Sequence, residues 1–329
     1  MGIVKFLRCQ AAEQAPSRRP RWSGERSRGS RGASRWWLEK AGSAPCTWGV
    51  CPSAGRLRRC RGRQSPLRRR RAAQPGLQAE LDLLLRLKHE NIVRILGYCD
   101  DADQGALIFE YVSGGTLYER LHGRSGNKRS TLPWKSRVKI AFQLAQAIEY
   151  LHERCIVHII HGDIKSSNVL LDGDSNCKLC DFGSAKMGFS SMILPPSSLP
   201  SSSPYVRRKN IIMGSPGYTD PAYLRTGIAS KKNDIYSFGV LVLELVTAHM
   251  AKDVDRMDVS EVTNMVDPRL RGDFNVEEAR ALIGLARLCF DESTLVRPTA
   301  SCMMKMMKEK VSSISFMNSN LRHKLSNDL

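Results

Sequence analysis

The chain has 329 residues, 51 Lys+Arg against 32 Asp+Glu and a formal net charge of +19, enough length for one large two-lobed domain or two ordinary ones. Residues 1–71 hold 19 of the 51 basic residues but only Glu13, Glu25 and Glu39 of the acids, so the basic average describes the leading segment and leaves the remainder nearly neutral. The ten cysteines, with no apolar signal sequence, fit reduced thiols rather than a disulfide framework, and the longest apolar run, Phe238–Val246, is broken by Glu244 and far too short to span a bilayer.

Residues 1–73 are expected to be a disordered Arg-rich leader, because Arg, Ser, Gly and Pro dominate and no aliphatic periodicity draws a packed face. Runs such as Arg68–Arg71 are compatible with nucleic-acid contact or a targeting signal, but a solvated tail outranks both and no specific nucleic acid is expected. Met1-Gly2 invites acylation, yet Phe6 stands where a Ser or Thr is required.

Order is expected from Gln74 onward. Gln78–Lys88 places Leu81, Leu84, Leu85 and Leu87 around a helix whose polar side carries Glu80, and His89-Glu90-Asn91 ends it. Two strands follow, Ile92–Tyr98 and Ala106–Val112, joined by an acidic turn and stopped by Ser113-Gly114-Gly115. Thr116 with Glu119 forms a capping box for a short helix ending before Gly123. Beyond a loop, Leu132-Pro133-Trp134 leads into a helix to His152 that is apolar on most sides.

The densest chemistry lies between His161 and Gly183. His161-Gly162-Asp163-Ile164-Lys165-Ser166-Ser167-Asn168 precedes two short strands, Val169–Leu171 and Cys177–Cys180, joined by Asp172-Gly173-Asp174-Ser175, and Asp181-Phe182-Gly183 closes the stretch. This spacing suits phosphoryl transfer. Asp163 can accept the proton of an attacking hydroxyl, Lys165 can hold the transferring phosphate, and the hairpin brings Asn168 and Asp181 to one end, where a single Mg²⁺ can touch both. Cys177 and Cys180, three apart on a strand, point to opposite faces and read as core thiols rather than metal ligands. A long loop with four prolines is expected over Ser184–Asn210, then helices over Asn233–Thr247, Val276–Phe290 and the Met-rich Thr299–Val311, and a flexible tail over 313–329.

Taken in order, Asn91-Ile92-Val93-Arg94, Gly97-Tyr98-Cys99, the central stretch, Gly214-Ser215-Pro216-Gly217-Tyr218, Asp234-Ile235-Tyr236-Ser237-Phe238-Gly239 and Arg297-Pro298 are motifs of one family. On them, residues 74 to about 312 resemble a protein kinase domain of the plant receptor-like cytoplasmic serine/threonine type. The resemblance implies an α+β, two-lobed protein-kinase-like fold, with a truncated small lobe over 74–115 and a mainly helical large lobe over 116–312. It implies ATP and Mg²⁺ as cofactors, protein substrates, an upstream receptor kinase as a partner, and signalling in the cytoplasm or peripherally at the plasma membrane. On it, Glu80 is the acid of the regulatory helix and Phe109 the gatekeeper. The hinge Glu110–Val112 bonds adenine through its backbone, Leu170 lies beneath the purine, Ser215 contacts the Asp163 and Lys165 pair, and Asp234 accepts hydrogen bonds from the catalytic-loop backbone.

Four departures from the family pattern stand out. No lysine lies between Lys40 and Glu80 and no glycine-rich phosphate loop precedes Glu80, so the ion pair that orients the nucleotide phosphates is missing. That makes a catalytically impaired module acting through protein contacts the alternative function. Gly162 replaces an Arg that elsewhere meets a phosphorylated activation loop. Asp220-Pro221-Ala222 lacks the Glu that elsewhere pairs with the arginine at Arg297, which is therefore expected to lack its buried partner. The segment from Asp181 to Ala222 is also long.

Overall fold

A computed structural model of the chain describes residues 6–11, 36–38, 58–60, 75–99, 106–123, 131–188, 192–193, 214–249 and 262–314. They fall into two units, one made of the described residues up to Lys88 with Val93–Tyr111, the other of His89–Ile92 and the residues from Val112 onward.

In the first unit, helix α1 (Pro75–Leu84) opens on a proline, whose missing N–H is no loss at that position. Leu81, Leu83 and Leu84 are buried, as is Leu87 beyond the helix end. Leu85, expected on the apolar face, is only half-buried. The chain tightens there, with Arg86 N–H bonding Leu83 O at 3.0 Å and Leu87 N–H bonding Leu84 O at 3.2 Å, and these shorter-range bonds end the helical period the sequence pattern assumed.

The expected hairpin is present as β4 (Ile95–Cys99) and β5 (Ala106–Phe109), antiparallel with an irregularity between Ile95 and Gly97. Three stretches of the segment expected to be disordered join it: β1 (Phe6–Ala11), β2 (Trp36–Leu38) and β3 (Arg58–Cys60). The sheet order is β2-β1-β5-β4-β3, with β1 parallel to β5 and β3 parallel to β4. A lone hairpin exposes two edges of unpaired backbone groups, and each edge here takes up a strand from the leader. Strands this short escape any periodicity window, and their parallel pairing makes the sheet a mixed one. Ile92 and Val112, expected at strand ends, belong instead to the second unit, where Ile92 bridges Leu179.

The second unit is mainly helical. α2 (Leu117–His122) has the expected capping box, Glu119 N–H to Thr116 Oγ1 at 3.1 Å and Thr116 N–H to Glu119 Oε2 at 3.0 Å. α3 (Trp134–Glu149) runs into a π-helical turn, Tyr150–Arg154. Strands β6 (His158–Ile160), β7 (Val169–Leu171), β8 (Cys177–Leu179), β9 (Lys186–Gly188) and β10 (Met192–Ile193) come next. The last two fall inside the loop expected to lack regular structure. They find partners in β6 and in β11 (Ala229–Ser230), and most of the remaining loop lies outside the described residues.

Helix α4 (Pro221–Thr226) precedes α5 (Lys231–Thr247), which is buried along nearly its whole length from Asn233. α6 (Val262–Met265), α7 (Val276–Cys289) and α8 (Ala300–Lys310) complete the unit. Polar side chains lock this packing. The Trp134 indole N–H and the Ser312 hydroxyl both donate to buried Glu278, each at 2.8 Å, and the Ser313 N–H does so at 2.7 Å. Ser313 and Ile314, expected in a flexible tail, are thereby held, and Ile314 is fully buried. Arg297, expected to lack a partner, donates to both carboxylate oxygens of Asp220. Among the described residues no helix is long and apolar enough to cross a membrane.

Candidate active site

The β7–β8 hairpin is held from two sides. Asn91 donates its side-chain amide to Cys177 O at 3.0 Å and accepts the Leu179 N–H at 2.8 Å. Gly114 N–H donates to Leu171 O at 2.6 Å, an approach only glycine allows, since a Cβ there would sit 2.4 Å from that oxygen. The ladder continues one step past the strands through Cys180 N–H to Asn168 O at 2.9 Å. Asp181 follows directly, in left-handed backbone with φ 66°.

The loop before the hairpin hangs from α5. Asp234, in the first turn of that helix, accepts the His161 N–H at 2.8 Å, the Gly162 N–H at 2.9 Å and His152 Nε2–H at 2.8 Å. Burial alone would push the Asp234 carboxyl up, but the hydrogen bond and charge of His152, with His161 and the Gly162 amide, outweigh it and hold the group below its ordinary value. His161 is itself fully buried. It accepts the Asp163 N–H on Nδ1 at 3.2 Å, donates Nε2–H to Cys180 O at 3.1 Å and meets the Phe182 ring edge-on, with centroids 4.7 Å apart.

The residues expected to carry the chemistry meet on this scaffold. Lys165 Nζ lies 2.7 Å from Asp163 Oδ2 and 2.7 Å from Ser215 Oγ, and the Ser215 hydroxyl donates to Asp163 Oδ1 at 2.7 Å. Asn168, in the 3₁₀ turn Ser166–Asn168, donates its amide to Asp163 O at 2.9 Å and to Asp163 Oδ2 at 3.2 Å. With the nitrogen so committed, the Asn168 amide oxygen is the group left for a cation. That oxygen and the Asp181 carboxylate are hard oxygen donors, the kind a divalent cation such as those the family uses accepts. Among the described residues no group of three or more His, Cys, Asp and Glu could hold a metal by itself.

The residues tied by resemblance to the nucleotide divide between the two units. Glu80 is buried on α1, and Glu110 pairs with Arg94 within the first unit, where Glu110 N–H bonds Arg94 O at 2.9 Å and Arg94 N–H bonds Glu110 Oε1 at 2.8 Å. The Glu110 N–H is therefore already spent. Val112 is buried in the second unit, and Leu170 is half-buried in β7.

A second polar cluster escaped the sequence reading. Glu244, on α5, is 1% exposed and lies 2.7 Å from both His122 Nε2 and Ser166 Oγ, while the Tyr218 hydroxyl makes a short bond to its other oxygen. Its one signal in the sequence was an acid interrupting the longest apolar run.

The family model described as Protein kinase domain matches residues 65–312. A probable receptor-like protein kinase of Arabidopsis thaliana is 47% identical over 261 residues, covering 72% of this chain and 74% of the relative. The salt tolerance receptor-like cytoplasmic kinase 1 of Oryza sativa subsp. japonica is 45% identical over 253 residues, covering 73% of this chain and 67% of the relative. A probable LRR receptor-like serine/threonine-protein kinase of Arabidopsis thaliana is 36% identical over 246 residues, which are 71% of this chain and 27% of that longer relative.

Proposed function

The chain belongs to the protein kinase family, as a serine/threonine kinase of the receptor-like kind, and we propose that Asp163 takes the proton of the acceptor hydroxyl while Lys165 and Ser215 hold its carboxylate in place. The observation that carries this is the closed triangle of 2.7 Å contacts among the three side chains. A carboxylate so clamped can point at only one position, and orientation of this kind is where much of the barrier to phosphoryl transfer is removed. The acceptor oxygen forms its bond to the γ-phosphorus of ATP, the bond to the β–γ bridging oxygen breaks, and the hydroxyl proton passes to Asp163. Lys165 brings positive charge beside the carboxylate, where the transferring group must pass.

The family uses ATP and a divalent cation in general. Asn168 and Asp181 would hold Mg²⁺, which when bound neutralises charge on the phosphates. Glu110, Val112 and Leu170 are proposed to position the nucleotide base, and Glu80 to belong to the same machinery. The lysine that would complete it has no counterpart between Lys40 and Glu80. Loss of one such charge-stabilising group lowers turnover by roughly a hundredfold to a thousandfold. Protein substrates follow from the family, and regulation by an upstream receptor kinase, in the cytoplasm or peripherally at the plasma membrane, completes the proposal.

The test is transfer of labelled γ-phosphate from Mg·ATP to a degenerate Ser/Thr peptide library by the full chain. Asp163→Asn is expected to lower the rate by about 10²–10⁴, because the amide cannot take the proton. Undiminished transfer by that variant would refute the assignment.

A further inference from the structure

We propose that His122 is a positioning residue for the loop Gly214–Thr219, acting through Glu244. This rests on the kinase reading above and adds to it a connection between α2 and the loop that flanks the acceptor. Four segments of the second unit converge on the Glu244 carboxylate: α5, which carries it, α2 with His122, the catalytic loop with Ser166, and the loop Gly214–Thr219 with Tyr218.

A carboxylate 1% exposed in the middle of an apolar helix is tolerable only if donors satisfy it. His122 Nε2–H and the Ser166 hydroxyl share one oxygen, and the Tyr218 hydroxyl takes the other. His122 is the one donor of the three able to bring positive charge, and its ring is fixed against Tyr118 with centroids 5.0 Å apart. Burial and then the charge of Glu244 push the Tyr218 phenol up, so it remains a donor to the carboxylate.

From Tyr218 the linkage reaches the chemistry in two steps. Tyr218 N–H donates to Ser215 O at 3.1 Å, supported by Thr219 Oγ1 to the same carbonyl at 2.9 Å, and the Ser215 hydroxyl donates to Asp163. Ser237 Oγ holds the Tyr218 carbonyl at 2.7 Å, so Tyr218 is fixed at both its backbone and its hydroxyl. Because Ser215 touches the proposed base, its loop borders the place where an acceptor hydroxyl must arrive. Removing His122 leaves the buried carboxylate short of a donor, and the load falls on the two donors that remain, the hydroxyls of Ser166 and Tyr218, which lie 3.0 Å from each other, so the loop that carries Tyr218 loosens.

The experiment compares the full chain with His122→Ala and His122→Gln, whose amide can still donate to Glu244. Hydrogen exchange is read at residues 214–219, alongside the KM for the degenerate peptide library, the KM for ATP, kcat and Tm. In His122→Ala, exchange in this loop is expected to rise about tenfold, as for loss of one hydrogen bond to a buried charge, and the peptide KM to rise by a similar factor. The ATP KM should stay within about twofold, and Gln should restore both readouts. Unchanged loop exchange in His122→Ala, failure of Gln to rescue, or a uniform rise in exchange with a lower Tm would overturn the inference, the last by reducing His122 to a packing residue. Should the wild-type chain transfer no phosphate, the kinase reading fails separately, and the exchange measurements alone decide the role of His122.

Discussion

Arg297 donates to both carboxylate oxygens of Asp220, at 2.6 and 3.1 Å, with the two side chains 2% and 0% exposed. Asp220 also accepts from the Asn233 amide and caps α4 through the Ala222 N–H, so one carboxylate ties α4, the start of α5 and the segment before α8 together. Removing one partner of a buried pair strands the other, at about 3–5 kcal/mol. Arg297→Ala is expected to lower the unfolding free energy by that amount in urea titrations. Arg297→Lys should recover only part of it, because an ammonium cannot occupy both oxygens in the same fork geometry. Equal stability of all three proteins would refute the structural role.

Gly162 has φ 79°, and a Cβ there would lie 2.9 Å from the Ser184 carbonyl oxygen. An arginine at this position meets two penalties at once, a left-handed backbone that costs an L-residue roughly 1–2 kcal/mol and a backbone oxygen that must move. Gly162→Arg is therefore expected to destabilise the chain by at least that much, with no gain of activity. A variant as stable as the parent and faster in phosphate transfer would show that the loop can rearrange to admit the side chain.

The readable parts of this chain are those with long periods or dense motifs. The helix from Trp134, the capping box at Thr116 and the β7–β8 hairpin were all legible, because local bonds and a repeating apolar face specify them. The convergence of Asp163, Lys165 and Ser215 followed from resemblance, since a 50-residue separation between Lys165 and Ser215 leaves no trace in spacing. Three things were hidden for physical reasons. Strands β1 and β3 are stabilised by the edges of β5 and β4, and β2 by the free edge of β1, which no local pattern encodes. Asp220 takes the place of an expected acid two positions further on, and only the fold brings it to Arg297. Glu244 announced itself as an interruption in an apolar run, yet its three donors come from residues 122, 166 and 218, far apart in the chain.

The buried thiols should be inert. Burial pushes the Cys177 thiol up to about 12, and Cys289 is raised for the same reason, whereas Cys302 is exposed. Since the thiolate is the nucleophile, iodoacetamide at pH 8 is expected to label Cys302 in the native protein and to reach Cys177 and Cys289 only after unfolding. Mapping the modified peptides by mass spectrometry checks this, and rapid native labelling of Cys177 would contradict the packing of β8 against α3.

His161 gives the chain a stability that depends on pH near neutrality. Burial is the largest influence and lowers its pKa, against Asp234, the bond to Cys180 O, Asp181 and Asp163, which raise it. The hydrogen bonds point the same way. Nδ1 accepts the Asp163 N–H and Nε2–H donates to Cys180 O, and only the neutral ring can do both, because a proton on Nδ1 would face another N–H. The folded pKa therefore lies below that of the unfolded chain, about 6.5. The unfolded state then binds more protons between the two values, so this contribution is fully present above about pH 6.5 and is lost as pH falls toward the folded pKa. Urea titrations between pH 7.5 and 5 are expected to show stability falling on acidification, with a slope from this one group of up to about 1.4 kcal/mol per pH unit. His89, whose pKa burial also lowers, adds to the same trend, so the decisive quantity is the difference between wild type and His161→Gln. The variant should be less stable at pH 7.5, and its deficit should shrink as pH falls to 5. A deficit that stays constant across the range, or widens toward acid, would mean that His161 is not held neutral in the fold.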